Sequence, residues 1–198
     1  MAGVSDDARP SMFLLRHGAT EWSESGQHTG LTDLPLTEEG EEEARSLVPL
    51  LADRSFALVL SSPLSRAMRT AELAGLSDIQ VEPDLLEWDY GKVEGRTTAD
   101  MREDEPDWTV FDGDIPGGET GAQVGERVDR VIARARAAGG DVLVAGHGHA
   151  LRILAARWVG LEPRDGRLFH LASGTLSELS WEREQPVVKT WGLQGRPS

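Results

Sequence analysis

Three apolar segments of this chain run directly into residues whose side chains can handle an anion. The first ends in Arg16 and His17, the second is followed by Arg66, and the third is followed by His147. Guanidinium groups match the oxygens of phosphate in geometry and charge, and a neutral imidazole can attack phosphorus as a nucleophile. Residues of these types, each placed just after an apolar run, indicate chemistry on a phosphoryl group.

The elements that must position these residues follow from the spacing of apolar residues. Strand-like runs occur at Met12–Arg16, Ala57–Ser61, Ile79–Val81, Val142–Ala145, Thr175–Trp181 and Val187–Trp191. A helix capped by Thr37 is predicted to run to Leu51, and helical spacing predicts three more at Pro63–Ala74, Glu119–Ala138 and His149–Val159. This alternation predicts an α/β fold, a three-layer α/β/α sandwich with a mostly parallel central sheet.

Ligands of open α/β sheets bind at the edge where the carboxyl ends of the strands meet. We therefore expect His17 and His147 to converge on one point at that edge. The helices predicted to start at Pro63 and His149 would aim their amino ends at the same edge, which favours an anion. A glycine follows each histidine and is predicted to let the backbone approach a ligand closely.

The length of 198 residues fits one domain. We predict a flexible N-terminal segment over residues 1–11 and a single domain over residues 12–195. Residues 88–118 are rich in Asp, Glu, Gly and Pro, so we predict a largely irregular insertion with a short helix near Thr98–Glu103. Loops inserted over the carboxyl edge of a sheet often form substrate lids, which is the role expected for this one.

Composition narrows the possible partners. The formal net charge of −14 argues against nucleic acid and anionic membranes. The chain has no cysteine, no signal-peptide core at its start, and no run approaching the ~20 apolar residues of a membrane helix. We expect a cytoplasmic protein whose partner is a small phosphorylated metabolite. The sequence leaves open whether the chain forms a homo-oligomer.

Five segments occur in the order found in one protein family: RHGATEW, SSPLSRAMRTAEL, LLEWDYGKVEG, GGET and GHGHALR. From Phe13 to Trp158 the sequence thus resembles the histidine phosphatases, also called the phosphoglycerate mutase-like superfamily. The resemblance implies the phosphoglycerate mutase-like form of the α/β sandwich. It also implies phosphoryl transfer through a phosphohistidine, with no cofactor and no metal.

The same resemblance assigns roles at the reacting centre. It implies that His17 becomes the phosphohistidine, that Arg16, Arg66 and His147 complete the phosphate pocket, and that Glu87 donates a proton. The residue chemistry fits these roles. A nucleophilic imidazole needs its other N–H held by an acceptor, arginines neutralise the equatorial oxygens, and a carboxylic acid protonates the leaving alkoxide. Spacing alone does not distinguish Glu87 among the 34 acids.

Around this centre the resemblance implies a set of substrate contacts, namely Thr20, Ser23, Gln27, His28, Thr29, Gly30, Tyr90 and His149. It also implies that Glu119, in the GGE motif, acts through its neighbours. His147 and His149 form an H-x-H pair, but zinc needs further ligands and no acid has a suitable local spacing, so no metal site is expected. For His149 we expect a group that caps the following helix or contacts the substrate.

The choice between hydrolase and mutase rests on departures from the mutase pattern. Residues 88–118 hold only Lys92, Arg96 and Arg102 against nine acids, and Ser23 stands where mutases usually carry Asn. Both favour hydrolysis by a histidine acid phosphatase-type phosphomonoesterase. The segment TEWSESGQHTGLTDLPLT resembles sugar bisphosphatases and broad-specificity actinobacterial acid phosphatases, so a sugar phosphate or bisphosphate is expected. A phosphoglycerate mutase and a non-catalytic module that binds a phospho-ligand stay as alternatives.

Overall fold

The computed structural model of the protein describes residues 9–195, which form one sheet with helices packed on it. The strands are β1 Met12–Arg16, β2 Leu58–Ser61, β3 Gln80–Val81, β4 Val142–Gly146, β5 Thr175–Glu182 and β6 Gln185–Gln194. The helices are α1 Glu21–Ser25, α2 Glu38–Ser46, α3 Val48–Leu51, α4 Ser65–Leu73, α5 Thr98–Arg102, α6 Gly121–Arg136 and α7 Gly148–Trp158. Short 3-10 turns lie at Pro83–Leu85, Gly91–Val93 and Pro163–Leu168.

The strands are ordered β3-β2-β4-β1-β5-β6. Strands β1 to β4 pair in parallel, while β5 and β6 are antiparallel additions, so the predicted α/β fold with a mostly parallel sheet is confirmed. Arg16 at the end of β1 lies opposite Gly146 at the end of β4. The chain therefore leaves both strands at the same level, and the rings of His17 and His147 lie 5.2 Å apart between centroids.

Several helices differ at their ends from the sequence prediction. The helix predicted from Thr37 to Leu51 is two helices, with the chain turning at Leu47 between α2 and α3. Pro49 lacks the N–H that a continuous helix would need, so it is accommodated only in the first turn of a new one. Pro63 precedes α4 instead of starting it, because Leu64 is the extended N-cap.

The irregular segment 88–118 is part of the core. It contains the predicted short helix, α5, and also the 3-10 turn Gly91–Val93, which was not predicted. Its side chains Trp88, Tyr90 and Trp108 are buried in the apolar cluster that covers one face of the sheet. The segment expected to be a lid is thus anchored by its aromatic residues.

The glycine after His17 serves backbone packing. A Cβ on Gly18 would lie 2.1 Å from the carbonyl oxygen of Gly40, and a Cβ on Gly40 would lie 2.1 Å from the carbonyl oxygen of Ala19. The turn after β1 therefore crosses α2 at a distance that only two glycines permit. The sequence analysis attributes Gly18 to close approach of a ligand. The structure explains this glycine by its packing against α2.

Most of the predicted flexible N-terminal segment, residues 1–8, lies outside the described residues. Its last residues are held on the sheet. The Ser11 N–H donates to the Asp141 carboxylate at 2.8 Å, and the Trp181 indole donates to the Pro10 carbonyl at 3.1 Å. Residues 10–11 are therefore an ordered extension of β1.

Candidate active site

His17 is held by the backbone in one tautomer. The backbone N–H of His17 donates to the Gly146 carbonyl at 3.0 Å, and the backbone carbonyl of His17 accepts from the Gly174 N–H at 3.0 Å. Its Nδ1 lies 2.7 Å from the carbonyl oxygen of Gly18. Since a carbonyl can only accept, the ring proton is on Nδ1, and Nε2 keeps its lone pair. This is the arrangement that a nucleophilic imidazole requires.

The protonation state of His17 suits the same role. The residue is only 5 % exposed. Burial, followed by the positive charges of Arg16 and Arg66, holds the pKa of His17 well below its usual value. The ring is therefore neutral at neutral and mildly acidic pH and can attack phosphorus.

His147 can present a free N–H to the site. Its Nε2 lies 2.7 Å from the Ser62 hydroxyl, which itself accepts from the Leu64 N–H at 3.4 Å. When the hydroxyl donates to Nε2, the ring proton lies on Nδ1. This Nδ1 is buried and has no partner among residues 9–195. Burial, Arg66 and His17 hold the pKa of His147 well below its usual value, so the ring is a neutral donor.

The two arginines use their terminal nitrogens on the backbone. Arg16 Nη1 donates to the Leu171 carbonyl. Arg66 donates from Nη1 to the Thr32 carbonyl at 2.8 Å and from Nη2 to the Gly30 carbonyl at 2.9 Å. The Nε–H of each arginine is buried without a partner in the described part of the chain. Burial also lowers the pKa of both guanidinium groups.

Buried polar groups are nearly always hydrogen-bonded, so unpaired ones call for an explanation. Within residues 9–195 the buried unpaired side-chain atoms are Arg16 Nε, Arg66 Nε and His147 Nδ1. All three are donors from residues that cluster around His17. An anion with several oxygens, such as a phosphoryl group, would satisfy them together. The residues that surround this phosphate-binding position are called the strand-end cradle: Arg16, His17, Ser62, Arg66 and His147.

Glu87 is held beside the strand-end cradle by the start of α7. Its Oε2 accepts from the His149 N–H at 3.0 Å, and its Oε1 accepts from the N–H groups of Ala150 at 2.8 Å and Trp88 at 3.0 Å. The first N–H groups of a helix have no partner within it, and negative charge is favourable there. The carboxylate thus caps the helix whose N-cap is His147.

A buried arginine fixes the backbone on which Glu87 lies. Arg127, from α6, donates from Nη2 to the Glu87 carbonyl at 3.0 Å and from Nη1 to the carbonyls of Asp84 at 2.9 Å and Leu86 at 2.6 Å. Its Nε and Nη2 also bind both carboxylate oxygens of Glu119, at 2.9 and 3.0 Å. Glu119 therefore contacts Arg127 and does not line the cavity beside His17, and its indirect role stays a prediction.

A cavity of about 470 Å³ opens beside the strand-end cradle. Arg16, His17 and Glu87 line it, as do most of the predicted substrate contacts, namely Ser23, Gln27, His28, Thr29, Tyr90 and His149. One side comes from residues 88–118. We call it the insertion wall, formed by Tyr90, Thr98, Arg102, Thr109, Val110 and Phe111.

Two predicted substrate contacts do not line this cavity. Thr20 is fully buried as the N-cap of α1, where its hydroxyl accepts from the Ser23 N–H at 3.3 Å. Gly30 donates its N–H to the Glu94 carboxylate, and a Cβ there would lie 2.6 Å from the Trp88 carbonyl oxygen. Thr20 therefore fixes the start of α1, and Gly30 lies in the loop that Arg66 holds.

His149 joins the insertion wall to Glu87. Burial, Glu87 and Glu94 raise the pKa of Tyr90 well above its usual value, so its hydroxyl keeps its proton, and it is hydrogen-bonded to His149 Nδ1 at 2.6 Å. Burial and Arg152 hold the pKa of His149 well below its usual value. The sequence predicts that His149 either caps the following helix or contacts the substrate. In the structure the cap is Glu87, which accepts from the backbone N–H of His149. The ring of His149 lines the cavity, so contact with a substrate stays a prediction.

Several residues around the site were not identified from the sequence, among them Ser62, Phe111, Arg127 and Arg152. Ser62 carried a usable signal, since it directly follows a predicted strand. The others had none, because an arginine within an amphipathic helix or a phenylalanine in an irregular segment is ordinary in any sequence.

Within residues 9–195, no three histidine or acidic side chains are grouped in a way that would hold a metal ion. The H-x-H pair is divided between partners, with His147 on Ser62 and His149 on Tyr90. In the same part of the chain, no helix has the length and apolar character needed to cross a membrane.

Comparison with known proteins agrees with this geometry. The family model described as histidine phosphatase superfamily (branch 1) matches residues 12–194. An acid phosphatase of Mycobacterium tuberculosis is 40 % identical over 190 residues, covering 94 % of each chain. Sedoheptulose 1,7-bisphosphatase of Saccharomyces cerevisiae is 38 % identical over 77 % of this chain and 68 % of its own.

Two further relatives extend the comparison. A probable phosphoglycerate mutase of Salmonella choleraesuis is 30 % identical over 92 % of this chain and 90 % of its own. The solved structure of an open reading frame from Mycobacterium tuberculosis superimposes with a TM-score of 0.90 at 39 % identity, covering 94 % of this chain and 99 % of that one. The chain is thus similar to phosphatases and to a mutase-like protein over nearly its whole length.

Proposed function

This chain belongs to the histidine phosphatase superfamily, and we propose that it is a metal-independent phosphomonoesterase that forms a phosphohistidine. The proposed substrate is a small phosphorylated metabolite, a sugar phosphate or bisphosphate. The observation that carries the proposal is His17, which is buried and neutral, with Nδ1 held by the Gly18 carbonyl and three unpaired donors nearby. The names of the acid phosphatase and bisphosphatase relatives support hydrolysis.

The proposed reaction has two steps. In the first, His17 Nε2 attacks phosphorus, the bond to the ester oxygen breaks, and Glu87 in its acid form gives the leaving alkoxide a proton. The N–H groups of Arg16, Arg66 and His147 stabilise the charge on the equatorial oxygens. In the second, water attacks the phosphohistidine, the Glu87 carboxylate takes its proton, the P–N bond breaks, and inorganic phosphate leaves.

The test of the mechanism is His17→Ala, with His170→Ala as the control for an exposed histidine. We expect hydrolysis of p-nitrophenyl phosphate to fall by roughly 10³- to 10⁶-fold in His17→Ala and to stay near wild type in the control. Rapid quenching with a ³²P-labelled substrate should trap an acid-labile, base-stable phosphoprotein in the wild type only. Addition of EDTA should not change the rate. Turnover that persists in His17→Ala would refute the nucleophile assignment.

The mutase alternative shares the first step and differs in what accepts the phosphoryl group. It has support from the mutase-like relative. Product analysis separates the two, using 3-phosphoglycerate with a 2,3-bisphosphoglycerate primer. We expect slow release of inorganic phosphate, whereas rapid formation of 2-phosphoglycerate would make the chain a mutase.

A further inference from the structure

We propose that Glu43 is a positioning residue for the nucleophile, because its carboxylate holds and polarises the peptide whose carbonyl binds the ring of His17. That peptide joins Gly18 to Ala19. Its carbonyl oxygen lies 2.7 Å from His17 Nδ1, and its N–H donates to Glu43 Oε2 at 2.8 Å. The inference rests on the proposed function, in which His17 attacks phosphorus, and adds a residue that acts on the ring from outside the strand-end cradle.

The two hydrogen bonds are coupled because they share one peptide. A peptide unit is planar, and in its trans form the C=O and N–H groups point in opposite directions. Glu43 therefore lies on one side of the Gly18–Ala19 peptide and the ring of His17 on the other. A negative charge at the N–H makes the carbonyl oxygen a stronger acceptor. We call this row the peptide relay, consisting of Glu43, the Gly18–Ala19 peptide and His17.

The place of Glu43 follows from the close crossing of α2 and the turn after β1. Gly40 lets the two backbones meet, and Glu43 lies in the next turn of the same helix. Its other oxygen, Oε1, accepts from the Ser173 hydroxyl at 3.1 Å. Ser173 precedes Gly174, whose N–H binds the His17 carbonyl. One carboxylate thus links the two segments that hold the nucleophile.

The contacts of Glu43 differ from those of neighbouring acids in α2. Glu41 pairs with Arg45 and Arg69. Glu39 is exposed and lines the same groove as Glu43, which has a volume of about 280 Å³. Glu43 instead gives one oxygen to the turn after β1 and the other to the loop before β5. Glu39 is therefore a matched control, with the same charge on the same helix and in the same groove.

The peptide relay acts when the ring gains charge. In the proposed first step, the Nε2 lone pair of His17 forms the bond to phosphorus while Nδ1 keeps its proton, so the ring becomes positively charged. A stronger acceptor at the Gly18 carbonyl stabilises that charge and makes Nε2 more nucleophilic. In the second step the P–N bond breaks and the ring returns to neutral. We therefore expect Glu43 to speed formation of the phosphohistidine and not its hydrolysis.

The decisive variant is Glu43→Gln, with Glu39→Gln as its control. A glutamine can accept from the Ala19 N–H and donate to the Ser173 hydroxyl, so the variant removes the charge and keeps both hydrogen bonds. In quenched-flow experiments with p-nitrophenyl phosphate, we expect phosphoenzyme formation to slow by about 3- to 30-fold in Glu43→Gln. It should stay within about twofold of wild type in Glu39→Gln. Phosphoenzyme hydrolysis should not slow in either variant.

Binding of inorganic phosphate separates the peptide relay from a direct effect of charge on the substrate. Glu43 lines the same groove as Arg16, so removal of its negative charge alone would strengthen the binding of an anion. We expect the inhibition constant of inorganic phosphate to stay the same or fall in Glu43→Gln while phosphoenzyme formation slows. A charge that acted only on the substrate would leave that step unchanged or faster, which would overturn the peptide relay.

Nuclear magnetic resonance follows the hydrogen bond without turnover. We expect the Nδ1–H proton of His17, assigned by its loss in His17→Ala, to move upfield in Glu43→Gln and not in Glu39→Gln, because the Gly18 carbonyl becomes a weaker acceptor. An equal slowing of both chemical steps in Glu43→Gln, or the same loss in Glu39→Gln, would overturn the inference. If the wild type formed no phosphoenzyme, the proposed function would fail, whereas an unmoved resonance in Glu43→Gln would refute the peptide relay alone.

Discussion

The strand-end cradle and the insertion wall face the same cavity but are built in different ways. The cradle lies at the ends of parallel strands, where the pairing of Arg16 with Gly146 sets the positions of His17 and His147. The insertion wall lies on an irregular segment whose place depends on buried aromatic residues such as Tyr90 and Trp108. Sheet register tolerates little variation, whereas an irregular segment can change in length and composition.

This difference separates reaction from selectivity. The cradle offers neutral rings and arginine N–H groups to three oxygens, which any phosphate ester possesses. In the proposed function, the insertion wall faces the part of the substrate that varies from one ester to another. Substitutions in the cradle should therefore lower turnover of all esters, and substitutions in the wall should change which ester is favoured.

Among the variants that compare the two regions, the largest effect should come from Glu87, which stands between them. We expect Glu87→Gln to slow alkyl phosphates by about 10²- to 10⁴-fold, because the leaving alkoxide loses its proton donor. p-Nitrophenyl phosphate, which has a good leaving group, should be affected less. The amide can accept at only one of the two carboxylate oxygens, so a lower melting temperature should accompany the loss.

Asp84→Asn is the matched control for this variant. Asp84 lies in the turn just before Glu87, and its carboxylate pairs with Arg130 at 2.6 Å on the outer side of α6. Its removal should leave the rates on both substrates unchanged. Equal losses on alkyl and nitrophenyl esters in Glu87→Gln would argue against a general acid.

A paired substitution compares the two regions directly. Ser62→Ala and Tyr90→Phe each remove one hydroxyl that is hydrogen-bonded to a buried histidine, the first in the cradle and the second in the insertion wall. Loss of the hydroxyl should cost about 1–3 kcal/mol, in catalysis for Ser62→Ala and in substrate binding for Tyr90→Phe. For Ser62→Ala we expect a kcat about 10-fold lower on every ester, because His147 loses its fixed tautomer.

For Tyr90→Phe we expect an altered KM for sugar phosphates and a kcat on p-nitrophenyl phosphate close to wild type. Steady-state kinetics of both variants on one sugar phosphate and on p-nitrophenyl phosphate provide the measurement. The division of labour between the two regions would be wrong if the two variants behaved alike.

A separate effect should appear in the pH dependence of stability. The folded pKa values of His17, His147 and His149 lie below the unfolded value of about 6.5, so the unfolded state takes up more protons as the pH falls. Their contribution is present above about pH 6.5 and is lost below it, by up to about 1.4 kcal/mol per histidine and pH unit. Urea unfolding at about pH 7.5 and pH 5.5 measures this loss.

Activity should respond to pH differently from stability. In the proposed mechanism the neutral form of His17 is the nucleophile, and its lowered pKa keeps that form populated at mildly acidic pH. The initial rate per folded molecule should therefore persist to about pH 5.5 while the unfolding free energy declines. A rate that fell in proportion to protonation of an ordinary histidine would show that His17 is charged in that range.

Much of the fold was readable because strand and helix periodicities are local. The runs around Met12–Arg16 and Val142–Gly146 predict the strands that the structure shows. The break between two helices at Leu47 is not predicted, although Pro49 is a residue that disfavours a continuous helix. The glycine after His17 was assigned to ligand approach, and the structure instead shows it pressed against Gly40. A contact between a turn and a distant helix leaves no trace in either local pattern.

By itself the sequence determined that phosphoryl chemistry would occur at strand ends, because Arg16, His17 and His147 each follow an apolar run and their side chains suit a phosphate. Only the tertiary structure decided how these residues are used. The tautomer of His147 depends on Ser62, 85 positions away, and Glu87 is held by the His149 N–H, 62 positions away. Such contacts are set by how helices and strands pack in space, which no local run of residues specifies.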